Sequence, residues 1–133
     1  MKYIEETKIK LTSECKEIQQ YLEITCSDDP AEIQQRGTEL SVFLARTGKM
    51  LADAKQIYNV ERAEELANII SDIEKSKFSA KVQNALVDSL CNDTKYLVDW
   101  IDRLNASCTH QLDFLRTLIS KAKAEMQYLN MQK

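Results

Sequence analysis

Glycine and proline are almost missing from this chain, with two glycines and one proline in 133 residues. Tight turns and sheet reversals draw on those two residue types, so a fold of many short elements is excluded. Long helices joined by few connections are the economical alternative. Runs of like charge are missing too: no block of about five stands out, and the net charge is -3 with a pI near 5.3. Such a chain has no overall attraction to a phosphate backbone, which disfavours a general nucleic-acid coater. No stretch approaches the roughly 18 apolar residues that cross a bilayer. Glu5, Glu6, Lys8 and Lys10 interrupt the apolar run that a secretory signal would need. The expectation is one helical domain over residues 1–133, kept in the cytoplasm and off the membrane.

Catalytic and metal-binding patterns are equally scarce. Cys15, Cys26, Cys91 and Cys108 show no CxxC spacing, and Cys15 and Cys108 fall on apolar helical stripes, so reduced core residues are expected. His110 is the only histidine, which leaves a zinc site without ligands. Cys108 and His110 stand two apart on a helix and point to different faces, so they cannot pair as nucleophile and base within one chain. Arg46-Thr47-Gly48-Lys49 ends like a phosphate-binding loop, but Phe43 and Met50 occupy the places where that loop needs glycine and a hydroxyl. The adjacent acids Glu5–Glu6, Asp28–Asp29 and Glu64–Glu65 diverge from one another, as solvated charges do. Neither an enzyme nor a cofactor is expected.

What the chain does have is helical periodicity. Ile101, Leu104, Cys108, Leu112, Leu115, Ile119, Ala122, Met126 and Leu129 recur at steps of three and four with no glycine or proline between them. A strand's period of two would scatter these positions over both faces, so they need one continuous helix. It is expected to begin at Asp93 or Thr94 and to run for about 35 residues, roughly 50 Å.

Three further helices are predicted. The first spans Tyr3 to about Thr25 and presents Ile4, Leu11, Cys15, Ile18, Leu22 and Cys26. The second starts at the strongest local signal in the chain, Asp29 as cap, Pro30 at the first position and Glu32 closing a capping box. It carries Ile33, Leu40, Leu44, Thr47, Leu51, Ala54 and Tyr58, changes phase near Asn59, and resumes as Ala63, Leu66, Ile70 and Ile73. Continuation to about Glu74 is expected, because no glycine or proline enforces a stop. Beside the main stripe runs a narrow one of Ser41, Ala45, Gly48 and Ala52, which suggests close approach of another helix at Gly48. Ser79 caps a short third helix with Val82, Leu86 and Leu90 on its apolar face.

One polar face is unusual. Asp102, Asn105, Thr109, Arg116, Ser120 and Lys123 form a stripe flanked by Arg103, His110, Thr117 and Lys121. These residues gain by directed hydrogen bonds, unlike the Glu, Lys and Ala that fill ordinary exposed faces. Two readings are open: a polar layer that fixes helix register, or a face that binds an anion or a partner. The candidate binding residues are Arg103, Asn105, Thr109, His110, Arg116, Ser120, Lys121 and Lys123.

Leu44–Ala54 (LARTGKMLADA) and Trp100–Lys121 (WIDRLNASCTHQLDFLRTLISK) resemble small helical proteins carried by tailed phages and prophages of gut bacteria. The resemblance implies a structural, recombination-associated or host-inhibitory role exercised by binding rather than turnover, in the host cytoplasm. It transfers no functional residue. The fold expected is therefore all-α, an elongated antiparallel helical bundle or coiled coil with two long and two shorter helices. A second copy of the chain is expected to cover its stripes. The function expected is non-enzymatic binding of a host protein or an anionic, nucleotide-like ligand, with structural or scaffolding assembly as the alternative.

Overall fold

The computed structural model describes residues 2–132. Four α-helices follow one another: α1 (Lys2–Leu22), α2 (Pro30–Ser71), α3 (Ala80–Leu90) and α4 (Asn92–Met131), with a single 3-10 turn at Lys75–Lys77. No strand occurs among the described residues, and the class is all-α.

Hydrogen bonds between side chains set the directions of the three longer helices. Lys8 meets Glu61 and Tyr21 meets Glu39, so α1 and α2 run antiparallel. Trp100 donates to Gln19, and Gln111 donates to the Leu22 carbonyl, so α4 runs parallel to α1. Arg36 with Gln111 and Glu61 with Thr94 place α4 antiparallel to α2. At 1.5 Å per residue α2 and α4 are each about 60 Å long, against about 30 Å for α1.

The main core lies where all three meet. Leu11, Cys15 and Ile18 of α1 pack with Met50, Ala54 and Ile57 of α2 and with Leu97, Val98, Ile101 and Leu104 of α4. Below it, Ile33, Leu40, Cys108 and Leu115 form a second cluster, and Ile69, Val87 and Cys91 form a third under α3. Each fully buried aliphatic side chain contributes roughly 1.5 to 3 kcal/mol, which makes these clusters the main source of stability. All four cysteines are free, with Cys15, Cys91 and Cys108 buried and Cys26 partly exposed.

The helix ends follow local chemistry, with four departures from expectation. Two concern α2: it stops at Ser71 rather than near Glu74, and no capping box closes, since the Asp29 amide donates to Ser27 Oγ at 3.3 Å and the Glu32 carboxylate meets the same hydroxyl. The Asp29 carboxylate accepts from the Glu32 amide at 3.4 Å with Pro30 opening the helix, and Ser79 Oγ accepts from Val82 at 3.3 Å. Helix α1, however, stops at Leu22 rather than near Thr25. Side chains of other helices take its last carbonyls, Arg36 that of Tyr21 and Gln111 that of Leu22, so the chain is free to turn and Cys26 falls beyond the helix. Helix α4 starts at Asn92 and runs 40 residues, because Thr94 is buried and donates to Glu61 Oε2 at 2.5 Å instead of capping.

Three stripes do not meet the partners expected of them. Ser41, Ala45, Gly48 and Ala52 face solvent, and a Cβ placed on Gly48 would find Asn105 Nδ2 at 3.9 Å, an ordinary contact. No helix needs the missing side chain. Ala63, Leu66, Ile70 and Ile73 are also exposed, since α3 packs on the adjoining face of α2 around Ile69. The last four members of the α4 stripe, Ile119, Ala122, Met126 and Leu129, are bare as well. Helix α2 begins at Pro30, level with Leu115 and Leu118, so α4 outlasts both of its neighbours.

Candidate interaction surface

The free end of α4 is built by simple continuation. The residues that bury Ile101, Leu104, Cys108 and Leu115 repeat at the same spacing beyond the bundle, where Ile119, Met126 and Leu129 are 41%, 64% and 59% exposed. Every residue of 119–131 is exposed. Where this segment leaves the body, a groove of about 340 Å³ opens between it and the start of α2, lined by Asp28, Pro30, Ile33, Leu118, Ala122 and Met126 among others. The polar sides of the segment carry Arg116, Lys121 and Lys123 with a single acid, Glu125.

A second bare surface lies at the opposite end. There the last turns of α2 carry Leu66 and Ile70 at 36% and 59% exposure, and Ile73, 76% exposed, lies in the turn just past the helix end at Ser71. The acids Glu64, Glu65, Asp72 and Glu74 share this stretch of chain.

The polar face singled out on α4 divides between inside and outside. Asn105 alone turns inward: its amide donates to the Leu44 carbonyl at 3.2 Å and to Thr47 Oγ1 at 3.0 Å, tying α4 to a fully buried threonine of α2. Arg103, Thr109, His110, Arg116, Ser120, Lys121 and Lys123 are exposed. Thr109 returns its hydroxyl to the Asn105 carbonyl and Arg116 pairs with Asp113 at 3.1 Å. Arg103, His110 and Lys121 occupy a different side of the helix from Arg116 and Lys123, so the cations do not converge on one ligand.

Two buried polar clusters escaped the sequence reading. Arg36, only 8% exposed, donates from Nη2 to the Tyr21 carbonyl at 3.2 Å and to Gln111 Oε1 at 2.9 Å, and its guanidinium lies 4.1 Å from the Tyr21 ring centre. Tyr21 donates to Glu39 at 2.6 Å; burial and this bond hold the phenol above its ordinary pKa, and the bond draws the Glu39 carboxyl below its own. In the second cluster Lys8 meets Glu61 at 3.0 Å, and Glu61 also accepts from Thr94. Burial pulls the Lys8 ammonium down, but Glu61 outweighs it and the group ends above its usual value. Both clusters tie α1 to its neighbours.

No group of three or more metal-ligating side chains comes together among the described residues, and no described helix is long and apolar enough to cross a membrane. Comparison with known families, curated proteins and solved structures finds no match for this chain. Its function must be argued from its surfaces.

Proposed function

We propose that this chain is a non-enzymatic helical assembly protein that works by binding further copies of itself. One observation carries this reading: the apolar stripe of α4 continues in register past the end of the bundle, into residues 119–131, every one of which is exposed within one chain. The accessible surface agrees in size. A compact monomer of 15.3 kDa exposes about 7,100 Å², whereas this chain exposes 9413 Å². The excess of about 2,300 Å² exceeds the roughly 800 Å² that each partner buries in a standard interface. Scaffolding, the alternative read from the sequence, is thus favoured over capture of an anionic ligand, whose candidate cations stand on separate faces of α4. The resemblance read from the sequence implies the same class, a role exercised by binding rather than turnover.

Light scattering across a concentration series tests the proposal, with the full chain compared to a variant ending at Thr117. The full chain should increase in mass with concentration and the shortened one should stay monomeric with unchanged core helicity. A full chain that remains monomeric at its highest soluble concentration would refute self-assembly.

A further inference from the structure

We propose that copies join head to tail, the free end of α4 lying antiparallel along the bare end of α2 in the next copy. This rests on the assembly reading above and specifies its joint. The two unpartnered stripes stand at opposite ends of the molecule, one where α2 begins and the other where α2 finishes. Because α2 and α4 run in opposite directions, stacking one copy on the next along the bundle axis brings the two stripes together antiparallel.

Their spacing matches. Ile119, Ala122, Met126 and Leu129 are separated by steps of 3, 4 and 3, and so are Ala63, Leu66, Ile70 and Ile73. In antiparallel register Ala122 meets Ile70 of the next copy, Met126 meets Leu66 and Leu129 meets Ala63, while Ile119 falls beside the turn past Ser71 that carries Ile73. A small residue then faces a large one in two of the three helical layers, as interdigitating helices require.

The charges match as well. Residues 116–132 hold three cations and one acid, whereas residues 60–74 hold five acids and one arginine. Stacking also brings the turn containing Lys75 and Lys77 toward Asp28 at the mouth of the groove. A two-fold antiparallel pairing of α4 ends would set Ile119 against Leu129 and Ala122 against Met126, but it would leave the bare, acid-rich end of α2 uncovered in both copies. A head-to-tail joint uses two different surfaces and leaves one of each free, so it propagates into a filament or closes into a ring.

Single-ended variants test the joint. The chain ending at Thr117 lacks the inserting helix, and Ile70→Glu, at a 59% exposed position, spoils the receiving face without touching the core. Each should be monomeric alone, and equimolar mixing should give a dimer of one of each and nothing larger. In the full chain Lys121→Glu combined with Lys123→Glu should weaken assembly roughly tenfold, because the receiving end of α2 is acidic. If Ile70→Glu assembles like the full chain while the shortened chain does not, the α4 ends pair with each other and the head-to-tail joint is wrong. A mixture that stays monomeric overturns it equally, whereas a monomeric full chain would overturn the assembly reading itself.

Discussion

Replacing Arg36 should unseat the end of α1. The guanidinium is buried without a carboxylate in ion-pair distance among the described residues. Its charge instead faces the carbonyl end of α1, where the helix dipole is negative, and the ring of Tyr21. Arg36→Ala removes two hydrogen bonds from a charged donor, one contact with an aromatic face and the packing of the side-chain stem. A charged hydrogen bond contributes about 1.5 to 3 kcal/mol and a cation over a ring about 1, while removing a buried charge returns part of that. The net loss should be about 3 kcal/mol. For a chain of this length about 3 to 5 °C accompanies each kcal/mol, so the melting temperature should fall by roughly 10 to 15 °C. Arg36→Met, which keeps the stem, should lose about half as much. Arg36→Lys should restore only part of the loss, because an ammonium can donate to both acceptors as Nη2 does but lacks the planar group that stacks on the Tyr21 ring. Thermal melts followed by far-UV circular dichroism measure all three, and a double-mutant cycle with Gln111→Leu isolates one bond, expected to couple by about 1 kcal/mol. A melting temperature within about 2 °C of the parent for Arg36→Ala, the range of a surface substitution, would refute the argument.

Two further outcomes follow from other sites. Gly48→Ala should raise stability by about 1 kcal/mol, because the helix gains propensity and the new methyl group meets only Asn105 at van der Waals distance; a lower melting temperature would mean that a helix does press on this face. Among the thiols, Cys26 should react quickly with a disulfide reagent near neutral pH and the other three only after unfolding, since burial encloses Cys15, Cys91 and Cys108 and pushes their pKa values up, that of Cys15 to about 11. A folded-state pKa above the unfolded one stabilises fully below the ordinary thiol value of 9 and less as pH climbs toward 11 for Cys15. Urea midpoints measured under reducing conditions should therefore fall across that window, by at most about 1.4 kcal/mol per pH unit for each thiol, and a flat profile would place the thiols in contact with water.

The helices were legible because their causes are local. Asp29 and Pro30 start α2 with their own side chains, and the buried runs Leu11–Cys15–Ile18 and Ile101–Leu104–Cys108 advertise helix through period alone. Continuity of α2 through Asn59 was legible for the converse reason, the lack of any residue able to stop it. Asn105 could be recognised as an inward polar residue only as one of two readings, because its acceptors, Leu44 and Thr47, are about sixty positions away. Arg36 could not be recognised at all. Its neighbours Gln34, Gln35, Gly37 and Glu39 look like an exposed turn of helix, and its burial comes from α1 ending beside it.

Period reports which residues share a face but not how far the opposing helix extends, and this is why the joint stayed hidden. From Ile101 to Leu129 the stripe is uninterrupted in sequence, yet burial ends near Leu118 because α2 begins at Pro30. Likewise Leu66 and Ile70 sit one helical face away from Ile69, and only the placement of α3 decides which of them is covered. In both places the apolar pattern runs beyond what the bundle needs. Exposed apolar side chains at helical spacing add nothing to the fold of one chain, and they promote association wherever a complementary face exists. On the assembly proposed above, the other end of the same molecule supplies such a face, acidic where the α4 end is basic, so a second copy is the simplest partner for the excess pattern.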